Sequence, residues 1–191
     1  MLEDFEESKD AKLGRLTGEV RAAGGEVGFA TFAEVLFRHA AGEDIAHYSV
    51  DHLMRIARGG WQSLKRRTPG QPRVEVVAPD DVAVTETDTG RAITIIEALN
   101  DDQPFLFGSL KNELHAQDLD IHLIVHPIFS VERDDEGNLV RFHGEARHGD
   151  GHAHESFVHI HVSAMDDPEA RAALAGTLND VIHDVTDAVE D

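Results

Sequence analysis

Apolar positions recur at three- and four-residue steps through the first third of the chain and mostly at two-residue steps after it, so the pattern itself divides the sequence. Residues 5–21 place Leu13, Leu16 and Val20 on one helical face. GFATFAEVLFRHA repeats that spacing with Phe29, Phe32, Ala33, Leu36 and Phe37. YSVDHLMRIARGGWQSLKRR predicts a third helix, with Ser49 as N-cap and Leu53, Ile56, Ala57, Trp61 and Leu64 as its buried stripe, loosened or broken at Gly59-Gly60. RTPGQP, residues 67–72, then puts two prolines and a glycine into six positions, which no helix continues through.

Beyond that boundary the runs read as strands. RVEVVAP is short and β-branched, and RAITIIEAL, residues 91–99, is the strongest strand core. NDDQPFLFGSLKNELHAQ predicts a helix whose first position is Pro104, capped by Gln103 or Asp102 and burying Leu106, Leu110 and Leu114. DLDIHLIVHPIFSVERD reads as one long strand, residues 134–138 as a turn and LVRFHG as its hairpin return. A polar, glycine-rich loop at 144–154 leads into the strand ESFVHIHVSAM. Asp167 and Pro168 open the last helix, with Leu174, Leu178, Val181, Val185 and Val189 along its inner side. Without the hairpin return the order is βαββα, and residues 73–77 add a fourth strand at an edge. The fold class is therefore α+β: an N-terminal helical segment, then a ferredoxin-like two-layer sandwich. Two helices cover one sheet face, and the other is open to solvent, a partner or a second domain.

Period two puts Ile121, Leu123, Val125, Phe129 and Val131 on one face of the long strand and His122, Ile124, His126 and Ile128 on the other. In the last strand Val158, Ile160 and Val162 oppose Phe157, His159 and His161. With both apolar faces under the helices, His122, His126, His159 and His161 gather on the open face, bracketed by Phe157, Ile124 and Ile128, unless a bulge flips one strand. The stretch HGEARHGDGHAHESFVHIHV holds six of the thirteen histidines. Residues two apart on a strand, about 7 Å at Cα, can converge on zinc, with His152 and His154 as further ligands. No helical HExxH and no cysteine accompany them. Structural or interface histidines are the expectation and no metal is favoured; if one binds, His122, His126, His159 and His161 are its candidate ligands.

Charge narrows the function classes. With 37 acids against 17 bases the net charge is −20, which opposes nucleic-acid phosphate and anionic membrane alike. No apolar run approaches a membrane span, and MLEDFEESKD has neither the basic nor the apolar region of a secretory signal, so a cytoplasmic location is expected. The absence of cysteine removes disulfides and thiolate chemistry together. Against this acidic background Arg55, Arg58, Lys65, Arg66 and Arg67 form a basic run, read as a solvated helix face or a docking surface for an acidic neighbour.

NDDQPFLFGSLKNELHAQDLDIHLIVHPIFSVERDDEGNLV, residues 100–140, followed by HESFVHIHV at 154–162, resembles the N-terminal region of the large bacterial NAD-specific glutamate dehydrogenases. The shared features are an N–D–D–x–P–F–L helix start, an I–H–L–x–x–H–P strand and an E–S–x–x–H–I strand, and the helical stretch before them is similar too. Two positions depart from the family pattern: Gly108 and His161 each stand where an acid is expected.

With the boundary at RTPGQP, residues 1–68 are read as a helical segment and 69–191 as the α+β domain, which by the resemblance is ACT-like and part of a non-catalytic regulatory or assembly region. The parent enzyme converts L-glutamate to 2-oxoglutarate and ammonia with NAD reduction. No GxGxxG follows a strand here, so NAD belongs to domains beyond this segment and no cofactor is expected within it. Expected partners are the rest of the enzyme chain, the other subunits of a homo-oligomer, and an amino-acid effector. By similarity to ACT-like domains the effector would sit at the first strand–helix loop, on Asn100, Asp101, Asp102 and Gln103, with Ser109 and His126 nearby. Helix N–H groups there attract a carboxylate and the two acids an ammonium; alternatively Asp101 and Asp102 only cap the helix. A stand-alone small-molecule or metal sensor, or a ligand-free oligomerisation module, would share the same fold.

Overall fold

In the computed structural model, which describes residues 8–24, 26–78 and 92–190, the described residues begin with four helices. Ser8 caps α1 (Lys9–Ala22) by accepting from the Ala11 amide at 3.3 Å; the expected start at residue 5 lies outside the described residues. Gly28, at φ 93°, opens α2 (Phe29–Arg38). A short α3 (Gly42–Ala46), not anticipated, is held at its C-terminal end by Lys12, whose ammonium donates to the carbonyls of Ile45, Ala46 and Tyr48 at 3.0–3.2 Å. Ser49 caps α4 (Val50–Leu64) as expected, accepting from His52 N. The expected break at Gly59-Gly60 does not occur. Gly60 is instead where α4 meets the sheet: a Cβ there would stand 3.2 Å from Phe32, 3.3 Å from Phe157 and 3.4 Å from Glu97.

Six strands follow among the described residues: β1 (Arg73–Val77), β2 (Ile93–Asp101), β3 (Ile121–Val125), β4 (Ile128–Arg133), β5 (Leu139–Glu145) and β6 (Ala153–Ser163). Helix α5 (Leu106–Ala116) lies between β2 and β3, and α6 (Pro168–Glu190) follows β6. The sheet is antiparallel in the order β1-β2-β6-β4-β5, with β3 also on β6. The edge strand at 73–77 is where the sequence places it. The long strand expected at 118–134 is split at His126-Pro127 into β3 and β4, which run end to end along β6. Proline has no N–H for the ladder, while its carbonyl still accepts from Phe157 N at 3.0 Å.

Each sheet face carries its own core. Val158, Ile160 and Val162 pack with Ile96, Leu110 and Leu114 of α5 and Leu174, Leu178 and Ile182 of α6. The α6 stripe therefore steps by four through Ile182, and Val189, expected inside, is exposed. The face expected to be free for solvent, a partner or a second domain is covered by the chain's own α1, α2 and α4. Phe157, expected exposed there, is fully buried against Phe32 and Phe129.

One strand face is reversed from expectation. Leu123, Val125, Phe129 and Val131 do share a face, but it looks toward α1, α2 and α4, and Ile121 and Ile124 pack on the α5–α6 side. The cause is pairing: Leu123 lies opposite His161 and Val125 opposite His159, so they must share a face, and a register slip between Ile121 and Leu123 flips the strand there.

Candidate functional site

The four histidines expected together are separated by that register. His159 and His161 lie buried under the N-terminal helices, their Nε2 atoms 2.9 Å apart. His126 lies on the opposite face, stacked on Phe107 of α5 at 4.6 Å and bonded to Ser156 Oγ at 2.7 Å. His122 sits at the register slip and bonds Ser163 Oγ at 3.0 Å. No common metal centre joins the four.

His159 and His161 instead form the middle of a buried polar chain. Tyr48 O–H meets His161 Nδ1 at 2.7 Å, and His159 Nδ1 meets Glu97 Oε1 at 3.0 Å. Ser63 Oγ donates to the other Glu97 oxygen. Burial raises the Glu97 pKa, but the hydrogen bond and charge of His159, with Ser63 and Arg73, bring it net below its ordinary value. His161 is held well below the usual histidine range, first by burial and then by the charges of His159 and His122.

The residues expected to hold an effector separate as well. Asn100 is buried in β2 opposite Ser156. Asp101 is ion-paired at 2.8 Å with Arg67, which belongs to the basic run but is buried rather than on a solvated face. Helix α5 begins at Leu106, two residues past Pro104, behind Phe105 at φ 67° and without a side-chain cap, so neither Asp102 nor Gln103 caps it. Gln103 reaches across to Thr186 Oγ1 of α6 at 2.9 Å. Ser109 lines a separate hollow of about 440 Å³ with exposed Phe105 and the end of α6.

Asp102 and His126 do meet, in a cleft of about 420 Å³ whose other walls include His39, Glu145, Arg147 and His154. Loop and strand geometry bring them together. Asp102 N donates to His154 O at 3.0 Å, and Arg147 is carried by the 146–152 loop, pinned through Asp150. Asp150 accepts from Ser130 Oγ, from His154 Nε2 at 2.9 Å and from the amides of Arg147 and His152 at 3.1 Å, and Ser130 and then His154 hold its carboxyl far below the usual range. Glu145 is shared by Arg38 and His39, each at 2.7 Å. Burial lowers the His126 pKa, with Asp102 opposing. The cleft thus presents acids, a cation and imidazoles around one open space. His39, Glu145 and Arg147 were not legible as site residues and His154 was legible only as a further metal ligand, since only the antiparallel fold brings residues 39 and 145–154 beside 102 and 126.

The antiparallel sheet under α5 and α6, with a polar cleft at its rim, is an ACT-like α+β module. Residues 32–178 match the glutamate dehydrogenase ACT1 domain, and the chain belongs to that family. Over 84% of its length it is 29% identical to an NAD-specific glutamate dehydrogenase of Halomonas elongata and, over an equal share, 26% identical to one of Pseudomonas aeruginosa. The match spans 10% of each of these much longer relatives. No solved structure matches the chain. Among the described residues no helix is long and apolar enough to cross a membrane.

Proposed function

We propose that this chain is the non-catalytic, N-terminal regulatory and assembly region of a cytoplasmic NAD-specific glutamate dehydrogenase. The enzyme's reaction, L-glutamate to 2-oxoglutarate and ammonia with NAD reduction, and its NAD site belong to the remainder of the longer chain. Other subunits of a homo-oligomer are its further partners. The family match over residues 32–178 carries this reading. Within it, an amino-acid effector occupies the cleft of Asp102 and His126, with Arg147 facing its carboxylate and Asp102 its ammonium. Asp101 is engaged by Arg67 and supports the wall rather than the ligand.

Thermal unfolding with L-arginine, L-aspartate and L-glutamate tests the effector site. A ligand at 100 times its dissociation constant adds about 2.7 kcal/mol, a rise of several degrees. The expected result is a saturable shift with one amino acid, abolished in Asp102→Asn and in Arg147→Gln. In the full-length enzyme the same substitutions should leave basal kcat unchanged and remove the response to that amino acid. No shift with any of the three would leave the region an assembly module without this ligand.

A further inference from the structure

Outside the cleft, three metal-ligand side chains meet on neighbouring strands, and we propose that Glu132, His143 and His152 form a binding site for a borderline divalent transition metal of the zinc class, with one coordination position open. Among the described residues their ligand atoms are the one group of three or more lying within 4.8 Å of one another. Of the three, the sequence pattern points only to His152, as a further ligand to the four strand histidines, and the structure sets it with Glu132 and His143 instead.

The local backbone brings all three together. Between Ser130 and Val131 the β4–β5 register slips: Ser130 pairs with Gly144 and Val131 with Phe142, which leaves His143 as the extra residue of a bulge. A bulge re-aims the side chain it inserts, and His143 Nε2 comes to 3.6 Å from Glu132 Oε2. His152 immediately precedes β6, beside the Val131–Ala153 pair, and its amide is fixed by Asp150 at 3.1 Å. Its ring stacks on that of His143 with centroids 3.7 Å apart and planes 12° from parallel, so metal binding requires one ring to turn about its side-chain torsion until both lone pairs meet the ion. Glu132 lies on the strand between the two histidines.

Two features point to a metal rather than to ordinary surface polarity. His143 Nε2 is sealed from solvent and has no hydrogen-bond partner, an arrangement that proteins rarely leave uncompensated. Its 3.6 Å separation from Glu132 is too long for a hydrogen bond. It is close to the roughly 3.3 Å that separates two ligand atoms each about 2.0 Å from a tetrahedral zinc. Two imidazoles and one carboxylate select a borderline metal over magnesium or calcium, which take oxygen ligands. Arg141 Nε, 3.8 Å from Glu132 Oε2, is the cation the metal would displace from that carboxylate.

The test is a calorimetric titration of the EDTA-treated 191-residue chain with zinc, alongside a cobalt titration read by visible absorption. The expected result is one equivalent per chain and visible cobalt ligand-field bands of a low-coordinate nitrogen and oxygen site. His143→Ala and His152→Ala should each weaken binding at least tenfold, about 1.4 kcal/mol, and Glu132→Gln should weaken it less. A His39→Ala/His148→Ala control should bind unchanged. Should His143→Ala fail to fold by circular dichroism, His152→Ala and Glu132→Gln carry the test, since both change side chains at the molecular surface. Several weak equivalents, unaltered in His152→Ala and Glu132→Gln, would mean an adventitious ion only and overturn the site.

Discussion

His161 stays neutral because the groups around it leave an added proton nowhere favourable to go. His159 Nδ1 donates to ionised Glu97, and His161 is held between His159 Nε2 and Tyr48 Oη, so that a neutral His161 gives one hydrogen bond and takes the other. Every ring nitrogen from Tyr48 to Glu97 then has a partner. Tyr48→Phe leaves the buried His161 Nδ1 without its partner and should cost about 1–3 kcal/mol in chemical denaturation; a loss under a few tenths would show that this bond adds nothing to stability. The pH dependence follows from sign. The folded pKa of His161 lies below 6.5, so the unfolded chain binds the proton first. Stability is therefore full above about pH 6.5 and declines as pH falls, by up to about 1.4 kcal/mol per pH unit per proton. His126 acts with the same sign, and Glu97, also lowered, extends the loss below its unfolded value of 4.5. His161→Phe should flatten the slope between about pH 6.5 and 5; an unchanged slope would remove His161 as its source.

At the scale of elements, a buried ion network joins the end of α4 to the sheet. Glu155 of β6 accepts from Arg67 and, through both oxygens, from Arg133, all at 2.7 Å. Arg67 N and Arg133 Nη1 also donate to Gly137 O in the β4–β5 turn, at 2.9 and 3.0 Å. Glu155→Gln strips the carboxylate from two guanidinium groups and should cost about 3–5 kcal/mol. Gly137→Ala should be comparably damaging: its φ is 81°, and a Cβ would fall 2.4 Å from the Arg67 carbonyl. Unfolding free energies within a few tenths of a kcal/mol of the parent would refute either expectation. The helices forming this seam were legible in sequence, because Leu53, Ile56, Ala57, Trp61 and Leu64 keep one period and Ser49 marks the start. The strand facing the histidines was not. A slip beside His122 and the interruption at Pro127 leave residue types unchanged while altering which helices a face meets. The basic run was misleading at Arg67 for a similar reason, since its partners lie 34 and 88 positions away in sequence. The cleft was half legible: Asp102, His126 and His154 belong to motifs, whereas His39, Glu145 and Arg147 arrive only through the fold.

Over the whole molecule the charge of −20 works against compaction, and it does so mainly at the surface. The ion pairs on which the fold depends most, Arg67 and Arg133 with Glu155, have side chains at most 4% exposed and lie beyond the reach of mobile ions. Exposed pairs such as Arg38–Glu34 are weak and are screened along with the excess of acids. Raising sodium chloride from 10 mM to 1 M shortens the screening length from about 30 Å to about 3 Å. Self-repulsion among 37 acids should therefore fade while the buried network keeps its strength. The melting temperature should rise by a few degrees over that range and level off as screening completes. Glu155→Gln should gain as much from salt as the parent while starting lower, because the interaction it lacks is not one that salt reaches. A melting temperature that falls with salt would mean that exposed ion pairs outweigh the repulsion. A markedly different salt response in Glu155→Gln would mean that solvent and ions enter the seam between α4 and β6.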